Sequence, residues 1–85
     1  MALEIVYFAW VRERMGMAAE MVELPAGIAT IGDLVRWLAA RDERGARAFA
    51  EPQRIRAAVG GAMVGPDTPI GDAVEVALFP PVTGG

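Results

Sequence analysis

The chain has 85 residues, a formal net charge of −3 and neither cysteine nor histidine, and these values limit its chemistry. A chain of this length forms a single small domain. Serine, lysine and asparagine are absent as well. Because side-chain nucleophiles and their bases come mainly from Ser, Cys, Lys and His, and zinc prefers Cys and His, we expect neither a self-sufficient enzyme nor a metal site. The 11 Asp and Glu residues leave a paired-carboxylate site open, although they are scattered over predicted helices and turns.

The charge pattern also argues against two kinds of partner. All eight basic residues are arginines interleaved with acidic residues, and the pI is about 4.8, so we expect no nucleic-acid binding. No apolar stretch reaches the roughly 20 residues of a membrane helix, and the first residues do not resemble a signal peptide. We therefore expect a cytoplasmic protein whose acidic body docks onto a basic partner.

Alternating apolar residues predict two strands near the start of the chain. Leu3–Phe8 and Glu20–Leu24 have a period of two, and we expect them to pair antiparallel. Between them, Ala9–Met15 can form about two helical turns, and Gly16 then suits a helix C-cap.

The long helix of the domain is predicted by a capping box and an apolar stripe. Thr30 and Asp33 have the spacing of a capping box, and the helix should run to about residues 40–42. The stripe that faces the core consists of Ile31, Leu34, Val35 and Leu38. Asp42–Gly45 then looks like a charged loop, and Ala46–Ala50 like one further short turn.

Three more strands complete the predicted sheet. Ile55–Val59 and residues 62–64 form a pair around a Gly60-Gly61 turn, and Val74–Phe79 forms the last strand, which we expect to lie centrally beside the first. With one main helix, the expected architecture is α+β: a mixed sheet covered on one face by that helix.

The chain ends with a segment that differs from the rest. Pro80 and Pro81 cannot donate backbone hydrogen bonds, so the sheet must stop there, and the pair favours an extended path. Gly84 and Gly85 have no side chains and can pass through narrow spaces. We therefore predict a domain of residues 1–79 and an extended tail of residues 80–85 that presents the terminal carboxylate of Gly85. The alternative is a small, mobile end without a role.

Three stretches carry a resemblance to a known family: residues 7–9 with Arg12-Glu13, residues 67–70, and residues 75–85. They resemble the small, sulfur-carrier subunits of molybdopterin synthase, ubiquitin-like proteins of the MoaD/ThiS type with a β-grasp fold. The resemblance covers essentially the whole chain, and its most specific part is the ending.

The resemblance implies a sulfur carrier that is not catalytic on its own. In the family an E1-like enzyme adenylates the terminal carboxylate with ATP, and sulfur then converts it into a thiocarboxylate. The tail enters the large subunit of a heterotetramer and donates sulfur to cyclic pyranopterin monophosphate, a step of molybdenum cofactor biosynthesis. Gly85 would be the reacting residue, and the inserted tail would comprise Pro80, Pro81, Val82, Thr83 and Gly84. No bound cofactor or metal is implied.

The body of such a carrier must also dock onto its partners. The residues expected on the uncovered face of the sheet include Val6, Phe8, Ala77 and Phe79, and we predict a partner interface formed by Phe8, Met63 and Phe79. Because alternation can slip by one residue, core positions for these side chains remain an alternative.

Two other functions stay open at the level of sequence. One is a carrier of the same fold for thiazole synthesis, tRNA thiolation or amino-acid sulfuration. The other is a ubiquitin-like interaction module or protein modifier. The activating enzyme, the choice between molybdenum and tungsten, the stoichiometry, and self-association of the free chain are not decided by the sequence.

Overall fold

The computed structural model describes residues 2–81, which form a five-stranded mixed sheet with three α-helices. The elements in chain order are β1 Ala2–Tyr7, α1 Ala9–Met15, β2 Ala19–Glu23, α2 Ile31–Arg41, α3 Glu43–Ala48, a 3₁₀ helix Pro52–Arg54, β3 Arg56–Val59, β4 Ala62–Val64 and β5 Glu75–Phe79.

The strands are ordered β2-β1-β5-β3-β4. β5 lies in the centre, parallel to β1 and antiparallel to β3, and the two outer pairs are antiparallel hairpins. This confirms the expected central position of the last strand and, with the covering helices, the ubiquitin-like β-grasp fold.

One face of the sheet carries the core. Alternate residues of β1 and β5 point towards the helices and are fully buried, because the strand period of two places them on one side. They meet the apolar stripe of α2 and two buried residues of α1, Val11 and Met15. The buried strand residues on this side are Leu3, Ile5, Tyr7, Val22, Ala57, Val76 and Leu78.

The start of α2 and the end of α1 follow the predicted local signals. The Thr30 hydroxyl accepts a hydrogen bond from the Asp33 amide at 3.1 Å, and the Asp33 carboxylate accepts one from the Thr30 amide at 3.2 Å. These bonds satisfy amides that would otherwise lack partners at the helix start. Gly16 closes α1 in the left-handed region, with a φ of 75°.

The segment after α2 differs from the prediction, because residues 42–45 are not a loop. The Asp42 carboxylate accepts a hydrogen bond from the Gly45 amide at 2.8 Å and so caps a third helix. Gly45 does not break this helix. A Cβ atom at Gly45 would lie 1.8 Å from the carbonyl oxygen of Leu38, so glycine is what lets α3 pack closely against α2.

Strand boundaries also shift by about one residue. The last strand was predicted to begin at Val74, but β5 begins at Glu75 and Val74 is 75 % exposed. Val74 follows the turn that contains Gly71 and Asp72 and lies one residue before β5. The alternation that buries Val76 therefore does not extend to Val74.

Candidate functional site

β5 positions the predicted tail. It occupies the middle of the sheet and ends at Phe79, and Pro80 and Pro81 follow as half-buried residues without regular structure. Both neighbouring strands hold the last residues of β5, because Leu78 pairs with Tyr7 of β1 and with Ala57 of β3. The predicted tail residues Val82, Thr83, Gly84 and Gly85 lie outside the described residues.

Phe8 lies beside the end of β5. Its amide donates a hydrogen bond to the Leu78 carbonyl oxygen at 3.1 Å, and its backbone is extended where it precedes α1. The next residue, Ala9, has a φ of 55°, in a region that costs a residue with a side chain about 1 kcal/mol. This sharp change of direction joins β1 to α1 and leaves the Phe8 side chain 49 % exposed, outside the core.

The face of the sheet away from the helices, here called the open face, has an apolar row across four strands. The strand register places Val6 beside Ala77, Ala77 beside Ala58, and Ala58 beside Met63. Cross-strand partners share a face, so these four residues point the same way. Val6, Ala58 and Ala77 are half-buried, and Met63 is 62 % exposed.

The three predicted interface residues all lie on this open side, but not at one point. Phe8 and Phe79 are at the end of the sheet where β5 stops, which we call the tail end. Phe79 is half-buried. Met63 lies level with Ala77, two strands away from β5, on the outermost strand. The patch is therefore a band rather than a compact cluster.

Two open-face residues were not included in the predicted interface. Ala58 links Ala77 to Met63, and its outward position follows from the alternation within β3, but a small side chain carries little hydropathy signal. Met21 is 62 % exposed and lies beside Glu4. It alternates with Val22, so the strand period alone was sufficient to place it outwards.

Charge is unevenly distributed along the strand direction. The tail end holds α1, the 3₁₀ helix and the start of β3, where Arg12, Arg14, Arg54 and Arg56 outnumber the acidic Glu13 and Glu51. The opposite end, where β1 and β5 begin and β2 finishes, holds the acidic residues Glu4, Glu23, Asp72 and Glu75. Although the whole chain is acidic, β5 and the two prolines after it therefore finish at the more basic end of the sheet.

The Trp10 ring lies next to two of the arginines at that end. The Arg14 guanidinium carbon lies 4.2 Å from the centroid of the Trp10 ring, and that of Arg54 lies 5.9 Å from it. Both distances suit cation–π attraction. These contacts connect α1 with the 3₁₀ helix beside the predicted tail.

A hydrogen-bonded network joins β1, β2 and α2 at the edge of the core. The Tyr7 hydroxyl donates to Glu20 at 2.6 Å, and Arg41 donates two hydrogen bonds to the same carboxylate, at 2.8 and 3.0 Å. Burial raises the pKa of Glu20, but the bonds from Arg41 and Tyr7 outweigh this and leave the pKa below its ordinary value. Burial and the bond to Glu20 raise the pKa of Tyr7, so its hydroxyl stays protonated as the donor.

Neither a metal centre nor a pocket coincides with the predicted site. Within residues 2–81, no three acidic, histidine or cysteine side chains are grouped so as to hold a metal ion. A mainly apolar groove of about 510 Å³ lies between α2 and the β3–β4 hairpin, and Ile31, Val35 and Val64 contribute to its walls. None of the predicted tail or interface residues lines it within the described chain. Among the described residues, no helix is long and apolar enough to cross a membrane.

Comparison with known proteins gives matches over nearly the whole chain. The model of the ThiS family matches residues 5–85. The molybdopterin synthase sulfur carrier subunit of Escherichia coli is 41 % identical over 83 residues, which cover 98 % of this chain and 99 % of the relative.

Two solved structures extend the similarity. A putative molybdopterin converting factor, subunit 1, from Pyrococcus furiosus is 30 % identical with a TM-score of 0.74, covering 96 % of this chain and 99 % of its own. Small archaeal modifier protein 1 of H. volcanii is 25 % identical with a TM-score of 0.68, covering 95 % and 98 %.

Proposed function

Because the chain belongs to the ThiS family, we propose that it carries sulfur on the carboxyl group of Gly85 as the small subunit of a cytoplasmic molybdopterin synthase. The observation that carries this proposal is the similarity to the sulfur carrier subunit of E. coli, at 41 % identity over 98 % of the chain. The family match also includes the Gly-Gly ending, since it runs to residue 85.

The proposed chemistry takes place on the main chain. A terminal carboxylate has a pKa near 3.3–3.7, so at neutral pH it is an anion and a poor electrophile. An E1-like enzyme would let this carboxylate attack the α-phosphorus of ATP, which forms an acyl adenylate and releases pyrophosphate. A hydrosulfide ion from the sulfur source would then attack the acyl carbon and displace AMP, which leaves a thiocarboxylate on Gly85.

The thiocarboxylate would react inside a partner. We propose that residues 80–85 enter the large subunit, where the thiocarboxylate sulfur replaces an oxygen substituent of cyclic pyranopterin monophosphate. Water would then hydrolyse the resulting thioester, which leaves the sulfur on the pterin and returns the carboxylate of Gly85. The carrier then needs no catalytic side chain of its own, which agrees with the absence of Ser, Cys, Lys and His. Two prolines at the base of the tail limit the conformational entropy lost on insertion.

The open face is the proposed docking surface. Phe8 and Phe79 lie beside the base of the tail, and Met63 extends the apolar band to the edge of the sheet. A partner that covers this face would bury exposed apolar surface and fix the direction in which the tail leaves the sheet.

Intact mass spectrometry tests the carrier function. The protein is incubated with ATP, an E1-like activating enzyme and a sulfur source, and we expect the mass increase of an oxygen-to-sulfur replacement. Deleting Gly85 or adding one residue after it should abolish the increase while circular dichroism remains unchanged. An unchanged mass of the native chain under conditions that convert a known carrier would refute the proposal.

A binding measurement tests the docking surface separately. Phe79→Asp and Phe8→Asp should each weaken binding to the large subunit by at least about tenfold, as expected for apolar anchors. Val74→Asp is the matched control, because Val74 is an exposed apolar residue next to the opposite end of β5. Equal weakening by all three variants would exclude the proposed patch.

The two alternative functions remain distinguishable. A thiocarboxylated protein that fails with a molybdopterin synthase large subunit but supports thiamine, tRNA or amino-acid sulfuration would be a carrier of another pathway. The similarity to small archaeal modifier protein 1 favours testing a modifier as well. A modifier would appear as isopeptide-linked conjugates that contain this chain.

A further inference from the structure

Two carboxylates lie side by side at one end of the open face. Glu4 and Glu75 are direct partners on the parallel strands β1 and β5, on the same face as Val6 and Ala77. Neither forms an ion pair within the described part of the chain. Like charges in directly opposed positions destabilise a sheet, so this pair favours a cation that comes from outside the chain.

A cation lies at the other end of this face, on a residue that also lines the groove beside α2. Arg56 is the cross-strand partner of Phe79, it is exposed, and none of the carboxylates in residues 2–81 pairs with it. One of its terminal nitrogens donates to the carbonyl oxygens of Gln53 and Ile55, at 2.9 and 3.3 Å. A guanidinium has five N–H donors, so several stay available.

The open face is thus acidic at one end, apolar in the middle and basic at the tail end. We propose that a second copy of the chain covers this face through a two-fold axis that lies between the two sheets and runs across the strands. Such an axis reverses the strand direction and places each strand over the same strand of the other copy. Glu75 of each copy then lies over Phe79 of the other, one strand spacing of about 4.8 Å from Arg56, and the apolar rows face each other. An axis along the strands would instead place the Glu4–Glu75 pairs of the two copies together.

This arrangement also accounts for the exposed residues at the two ends of the face. Reversal of the strands brings Phe8 of one copy over Glu4 and Met21 of the other. A methionine sulfur next to an aromatic ring is a favourable contact, and the glutamate stem offers methylene groups. Met21 and Phe8, which are 62 % and 49 % exposed in the single chain, would both become covered.

The contact should be weak. Five strands about 4.8 Å apart and roughly five residues long present about 300 Å² of sheet per copy, well below a standard interface. Weakness is consistent with the proposed function, because the self-contact covers the residues assigned to partner docking. A free carrier would hide its apolar band in the dimer and release it when a partner competes. The dimer itself does not depend on sulfur chemistry.

Analytical ultracentrifugation of the full chain tests the proposal. At low salt, between about 10 µM and 1 mM, a range that covers weak interfaces, the average mass should rise from one chain towards two. Arg56→Glu and Glu75→Arg should each lower the association constant by at least about fivefold, because each places like charges together twice per dimer. Glu43→Arg is the matched control, since Glu43 is exposed at the start of α3 and away from the open face.

The decisive measurement is an equimolar mixture of the two variants. The Arg56→Glu chain has glutamate at both positions 56 and 75, and the Glu75→Arg chain has arginine at both positions. In the mixed dimer each of these glutamates meets an arginine, so both ion pairs are restored. We expect the mixture to associate at least as strongly as the native chain, and the double variant to recover as well. Circular dichroism of each variant checks that the fold is retained.

Three results would overturn this proposal: a native chain that remains monomeric at about 1 mM, well above the range of transient contacts, single variants that associate as the native chain does, or a mixture that does not recover. Inhibition of dimerisation by the large subunit would support the shared surface. A failed sulfur-transfer assay with a recovered mixture would reject the proposed function and leave the dimer standing.

Discussion

The two faces of the sheet are built from alternate residues of the same strands, and they differ in what covers them. Leu78 is 0 % exposed beneath the helices, whereas its neighbour Phe79 is half-buried on the open face. The covered face meets three helices that fill the space above it, and the open face meets solvent with a band of alanine, valine, methionine and phenylalanine. Apolar composition alone therefore does not identify a core, and the position of the helices decides which band is structural.

The largest expected effect is on the covered side, at the contact between α2 and α3. Gly45→Ala would place a Cβ atom 1.8 Å from the Leu38 carbonyl oxygen, so the backbone of one helix must move. We expect a loss of about 3–5 kcal/mol in the free energy of unfolding, measured by urea denaturation. Gly65→Ala, where an added Cβ meets nothing within 4 Å, should change it by less than about 0.5 kcal/mol. Similar losses in both would contradict the close helix contact.

The neighbours Leu78 and Phe79 compare the two faces directly. Leu78→Ala removes a fully buried side chain and should cost about 2–5 kcal/mol. Phe79→Ala removes a larger but half-buried side chain and should cost about 1 kcal/mol, since less apolar surface returns to water. The measurement is the free energy of unfolding from urea titration. A larger loss for Phe79→Ala would mean that the open face contributes to the core.

The contribution of Glu20, on the covered side of the sheet, to the free energy of unfolding should depend on pH. Hydrogen bonds from Arg41 and Tyr7 leave the pKa of Glu20 below the ordinary 4.5 in the folded chain, despite burial, which acts in the opposite direction. This stabilisation is complete above the unfolded pKa and is lost as the pH falls through the folded pKa. Glu20→Gln should therefore cost about 1–2 kcal/mol at pH 7, with a difference that shrinks below about pH 4.5. A difference that stays constant from pH 7 to pH 3 would contradict the network.

The smallest expected effect is a gain in stability on the open face. Glu4→Gln removes one of two adjacent carboxylates and should raise the free energy of unfolding by a few tenths of a kcal/mol at low salt. Added salt should reduce the gain, because it screens exposed charges. Glu13→Gln on α1, away from this pair, is the control. The titrations need dilute protein, so that self-association does not contribute.

Local signals predicted much of this fold. The capping box of Thr30 and Asp33, the C-cap Gly16 and the period of the strands depend on neighbouring residues, and all were predicted correctly. Gly45 was misinterpreted as part of a loop, because its role is set by the carbonyl of Leu38 in another helix. Such a contact between two helices leaves no pattern within a short window of sequence.

The candidate site shows the same limit. Alternation placed Phe8 and Phe79 outwards, but only the strand register revealed that Ala58 joins Met63 to Ala77 and that Glu4 lies beside Glu75. Glu4 and Glu75 are 71 residues apart in the sequence, and pairing over such a distance is determined by the whole sheet. The opposed ends of the open face were therefore not predictable from the sequence alone.

The central position of β5 has a consequence for the order of folding. The hairpins β1–β2 and β3–β4 join residues close in the sequence and can form early, whereas β5 must insert between them to complete the sheet. Until it does, β1 and β3 each expose an unpaired edge, the kind of surface through which nascent chains aggregate. We therefore expect the closing of the sheet by β5 to limit the folding rate, and a chaperone that shields those two edges to raise the yield of native protein.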